Sequence, residues 1–311
     1  MMLDAKNGGK RLGSNIATLL AAYRPTIVTL ASLVVTASLL VAPLPALADC
    51  KAAFEGASGL NAGFESLYDL DFDAAQARFS NWRAAYPDDP MGPAATASAY
   101  LFQEFDRLGV LQIELFRDDQ AFQGRKKLTP DPRVKDLFDA ELVLAEMLAA
   151  RQLAGDAASV NALLAATMID GLRADYAALI DRRNGASLSY TKKGRRSAEK
   201  LLMLDTSCYD AYLALGVENY LLGSKPPPVR WILRAGGANT DREEGVRELE
   251  LTAERGHFLK PFAKLLLAVA ALRRHDDQKA KLLLSELHRE FPHNLLYEHE
   301  LARLETEGID R

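Results

Sequence analysis

The chain has 311 residues, 49% of them hydrophobic and 26% charged, with a net charge of −4. That composition is typical of a folded protein with a sizeable core and excludes a disordered chain. The acidic balance also argues against a nucleic-acid binder, which needs a basic face to displace counterions.

In chain order, a basic start (Lys6, Lys10, Arg11, Arg24) leads into an uncharged run at 26–48, TIVTLASLVVTASLLVAPLPALA. The run ends in Ala46-Leu47-Ala48, the small-x-small pattern of a signal-peptidase site. Residues 1–48 are therefore expected to be an export signal that directs the chain to the periplasm or outside the cell. The alternative is an uncleaved membrane anchor, since 26–48 is long enough to span a bilayer. Cleavage would leave 34 Lys and Arg against 41 Asp and Glu, a net −7, in a single domain at 49–311. The two cysteines, Cys50 and Cys208, either pair in that oxidising compartment or stay apart. The sequence leaves both open.

The segment 62–87, AGFESLYDLDFDAAQARFSNWRAAYP, reads as two helices joined at Leu70-Asp71-Phe72, with small residues Gly63 and Ala75 at the crossing. Residues 92–118 suggest two further helices, and 126–133 a loop. A long helix follows at about 133–154, expected to be buried on most sides because Leu137, Leu144 and Leu148 widen its apolar stripe. Residues 157–182 give another helix, in which Gly171 would permit a close crossing. KKGRR, 192–196, is expected as a solvated basic run at a helix start, and YDAYLALGVENYLLG, 209–223, as a helix. Then SKPPPVRWILRAGGANT, 224–240, breaks the pattern. Prolines cannot continue a helix, so VRWIL is expected as a short amphipathic turn and Gly236-Gly237 as a hinge. Helices resume at 241–256 and 262–292.

The spacing repeats. Ala268, Ala280, Leu284 and Pro292 match Gly63, Ala75, Phe79 and Pro87, and the interval from small residue to proline is 12 both times. Gly216 and Gly245 hold the same places in a third pair, interrupted by the insert. These residues resemble the tetratricopeptide-repeat family. The longer run 216–256 resembles a branch of bacterial exported proteins and the eukaryotic inclusion-body-clearance group of the mitochondrial outer membrane and lipid droplets. The resemblance implies an all-α fold, a right-handed superhelical solenoid of antiparallel helix pairs. It also implies a concave face lined by the first helix of each pair.

Phe64, Tyr68, Leu213, Val217 and Tyr220 then face the groove, either covered by the chain's own helices or open to an apolar peptide. In the insert, Arg230 and Trp231 would touch a partner or a membrane surface, or simply cap the core. The five histidines lack the spacing of a metal site, and no phosphate loop, dinucleotide fingerprint or nucleophile elbow occurs. The expected function is a non-catalytic scaffold that docks a protein or peptide partner and needs no cofactor. The alternative is a membrane-associated protein that binds apolar or lipid material through the groove and the insert.

Overall fold

The computed structural model describes residues 50, 54, 56–111 and 128–309. The expected export signal and the end of the 92–118 segment, from residue 112, lie outside them, as do residues 126–127 of the expected loop. The described residues form twelve α-helices and no strand. In chain order these are α1 Ser58–Tyr68, α2 Phe72–Ala85, α3 Met91–Arg107, α4 Pro132–Gly155, α5 Val160–Asp175 and α6 Asn184–Leu204. They continue with α7 Tyr212–Gly223, α8 Pro227–Ala235, α9 Arg242–Arg255, α10 Lys260–Leu272, α11 Asp277–Glu290 and α12 Leu295–Ile309. Most helices pack against their neighbours in sequence. The exception that matters is α7, which packs on α9 across the insert.

Local sequence explains the three matched pairs α1/α2, α7/α9 and α10/α11. Each second helix begins at an aspartate four residues before its small residue. The carboxylates of Asp71, Asp241 and Asp276 accept the amides of Ala74, of Glu243 and Glu244, and of Lys279. Such caps satisfy donors that the helix leaves orphaned and contribute about 1 kcal/mol each. Leu70 and His275 both lie seven residues after the small residue, and both turn through positive φ, at 62° and 60°. The helices α2 and α11 end alike, at Tyr86 with φ −130° and Phe291 with φ −129°. Ala75, Phe79, Ala280 and Leu284 are fully buried. At Gly63 an added Cβ would fall 2.6 Å from Phe79 Cδ1, so this helix pair closes only around a residue without a side chain.

Of the two helices expected in 92–118, the described residues contain one, α3, and the segment from residue 112 lies outside them. Several other local expectations need correction. The helix α4 is buried on one face only, by Phe138, Leu142, Ala145, Leu148 and Ala149, while Leu137, Val143 and Met147 are exposed. Gly171 has nothing near its missing Cβ; the tight α5/α6 approach is made by Gly194 of α6, where an added Cβ would stand 3.3 Å from the Thr167 carbonyl oxygen. KKGRR lies inside α6, not at its start. VRWIL belongs to a true helix, α8, whose first turn is Pro227-Pro228. The prolines initiate it, because their fixed φ and missing amide suit the first helical positions.

Candidate functional site

The residues that sequence singled out lie in two separate places. Phe64 and Tyr68 are 3% and 6% exposed. Their cover comes from far along the chain. Phe258, in the α9–α10 loop, packs on Phe64 at 5.1 Å between ring centroids, and Phe291 packs on Tyr68 at 5.7 Å. The Tyr68 hydroxyl donates to the Phe258 carbonyl at 2.9 Å, and Asn294 donates to the Tyr68 carbonyl at 2.8 Å. The cavity left beside Leu67, Tyr68, Phe102 and Tyr297 is about 20 Å³, roughly the space of one water. Leu213 and Tyr220, also buried, pack with half-buried Val217 against Leu249, Ala253, Ala263 and Leu267.

The covering loop is fixed by Asp210. This buried carboxylate accepts the amides of His257, Phe258 and Leu259 at 2.9, 3.2 and 3.0 Å. Nearby, Cys50 and Cys208 form a disulfide with Cα atoms 5.3 Å apart, and Asp205 accepts the Cys50 amide at 3.0 Å. The start of the described chain is thereby stapled to the α6–α7 junction.

The insert is held at both ends. At its exit, Asn239 N donates to Glu218 Oε1 at 3.0 Å, and Asp241 N to Asn219 Oδ1 at 3.2 Å. Asn219 in turn donates to Glu248 at 2.8 Å. Burial raises the Glu248 carboxyl to about 7, although the Asn219 bond opposes this. From α6, Lys192 donates to the Gly236 carbonyl at 2.6 Å and Arg195 to the Gly237 carbonyl at 3.1 Å. Arg195 also makes a 3.0 Å ion pair with buried Glu218. Part of the basic run 192–196 therefore anchors the insert instead of standing in solvent. Sequence reading missed Lys192, Arg195, Glu218 and Asn219. The available signal was Glu218-Asn219, an adjacent polar pair interrupting an otherwise apolar helix.

On this base α8 is turned inside out. Trp231 and Ile232 are 73% and 64% exposed, and no residue of α8 is buried. Pro228, Trp231, Ile232 and Ala235 recur at spacings of three and four, so they share one outward face. The arginines turn back onto the chain: Arg234 donates to Thr240 Oγ1 at 2.5 Å and Arg230 to the Gly223 carbonyl at 3.4 Å. Among the described helices none is long and apolar enough to cross a membrane. Comparison with family models, curated proteins and solved structures gives no match.

Proposed function

We propose that this chain is an exported, non-catalytic helical-repeat protein of tetratricopeptide type, and that it works by seating α8 on an anionic membrane surface. The recurring aspartate caps, positive-φ turns and small-residue crossings support the repeat reading. The export reading rests on residues 1–48 of the sequence.

One observation carries the function: Trp231 and Ile232 point to solvent from a helix whose arginines lie beneath them. An amphipathic helix with an aromatic apolar face and basic flanks is suited to lie in the headgroup region. Lys192, Arg230, Arg234 and Arg242 surround it in a chain whose residues 49–311 carry 34 Lys and Arg against 41 Asp and Glu. Each cation near an anionic surface is worth about 1 kcal/mol. The apolar face of one nine-residue helix falls well short of the roughly 800 Å² per partner that specific protein interfaces bury. Docking a protein on the first-helix face finds less support, because Phe64 and Tyr68 are already packed on Phe258 and Phe291.

The test is co-sedimentation of the purified chain from residue 49 with vesicles containing anionic lipid. Binding should fall with salt and drop tenfold or more in Trp231→Ala plus Ile232→Ala, the loss expected from two inserted apolar side chains. Absence of binding at low salt refutes the proposal. So does capture of a stoichiometric protein partner that is lost in the same variant while vesicle binding stays unchanged.

A further inference from the structure

Behind α8 lies an open pocket of about 400 Å³, between the end of α7, the inner face of α8 and the start of α9. Its lining includes Lys225, Arg230, Arg234 and Arg242, with Thr240. Two carboxylates, Asp241 and Glu243, complete it. Among the described residues Arg230, Arg234 and Arg242 make no ion pair. Arg230 and Arg234 reach only the neutral oxygens of Gly223 and Thr240. Arg242 lies over the Tyr220 ring at 5.6 Å, and its Nε has no hydrogen-bond partner. The two carboxylates are committed elsewhere: Asp241 accepts the amides of Glu243 and Glu244, and Glu243 pairs with Arg274 outside the pocket.

Gathering three arginines with no carboxylate paired to any of them is unfavourable, since like charges repel and Arg242 Nε is left without a partner. We infer that this pocket is a site for a phosphate group, held by Arg230, Arg234 and Arg242. With Glu243 paired to Arg274, the three arginines face only the charge of Asp241, an excess of two positive charges, which matches a phosphate monoester of charge −1.5 to −2. Guanidinium forks bind such an oxyanion through paired donors, which a lone lysine does not. The helix end itself is not the attractor, because Asp241 already occupies the amides of α9's first turn. The cavity is also larger than a bare phosphate needs, so the group would arrive on a larger molecule. That molecule is either a soluble phosphate ester or a lipid headgroup delivered where Trp231 and Ile232 meet the membrane. The lipid source rests on the membrane reading proposed above; the phosphate site does not.

The experiment has two arms on the chain from residue 49. In the first, inorganic phosphate is titrated by calorimetry at constant ionic strength. Saturable 1:1 binding is expected, weakened tenfold or more in Arg230→Gln and in Arg242→Gln, partly retained in Arg230→Lys and unchanged in Arg196→Gln. Circular dichroism checks that each variant is folded. In the second arm, vesicles carrying phosphatidic acid are compared with vesicles of equal charge carrying phosphatidylglycerol. A preference for phosphatidic acid that disappears in Arg230→Gln identifies a lipid monoester as the source; phosphate binding without that preference identifies a soluble ester. If neither phosphate nor phosphatidic acid is favoured, or if the folded arginine variants bind as the parent does, the site is refuted. Vesicle binding through Trp231 would survive that outcome, so failure of the pocket is distinguishable from failure of the membrane reading.

Discussion

Replacing Gly245 with alanine sets two effects of opposite sign against each other. In an exposed helix, Gly→Ala stabilises by about 1 kcal/mol through backbone entropy. At Gly245 the added Cβ would stand 2.8 Å from the Gly216 carbonyl oxygen and 2.9 Å from Tyr220 Cα, and it would overlap Tyr220 N. These are backbone atoms, so no rotamer change relieves the contact, and α7 and α9 must separate by about 0.5–1 Å. A gap of that size forfeits a quarter to a half of each dispersion contact across the interface. Overpacking of this kind costs about 1–3 kcal/mol or more. The expected result is a net destabilisation of about 2 kcal/mol. Gly171→Ala is the control: α5 is continuous there and nothing lies within 4 Å of the new atom. It should stabilise by about 0.5–1 kcal/mol. Urea denaturation followed by circular dichroism reads both variants against the parent. If Gly245→Ala proves neutral or stabilising, the crossing is not close and the pairing of α7 with α9 across the insert is wrong.

Other expectations follow from the same contacts. Asp210→Ala removes the acceptor of three amides and should destabilise by at least about 3 kcal/mol, with Asp210→Asn intermediate, measured by the same denaturation. Reducing the Cys50–Cys208 bridge, which spans 158 residues, should cost about 2–5 kcal/mol, seen as a lower thermal midpoint in dithiothreitol. Burial raises the carboxyls of Glu248 and Asp175 to about 7 each. Both therefore hold protons to a higher pH when folded than unfolded, and stability should rise as pH falls from about 7 towards 4.5. Glu248→Gln should flatten that rise; an unchanged slope would show that this group does not titrate in the window.

How much of this was legible in the sequence depends on the range of the interaction. Aspartate caps, small residues at crossings, the register of Ala75 with Ala280 and the break at the prolines are set by neighbours within a few residues. Helical periodicity exposes them. The two faces of α4 were misjudged because Leu137, Val143 and Met147 have the hydrophobicity of core residues, and hydrophobicity alone does not say that a neighbour is present. Proline was read only as a stop, although at the first turn of α8 it favours a start.

For the candidate surface the division is sharper. The sequence determined that 224–240 interrupts a helix pair and that Trp231 sits among arginines. Only the tertiary structure decided which way that helix faces, because a nine-residue amphipathic segment turns its apolar side inward or outward according to what lies beside it. Likewise Phe64 and Tyr68 form an apolar face whether a partner covers them or Phe258 and Phe291 do. The chain decides this through contacts about 190 to 225 residues apart, and a local periodic pattern carries no information over that distance.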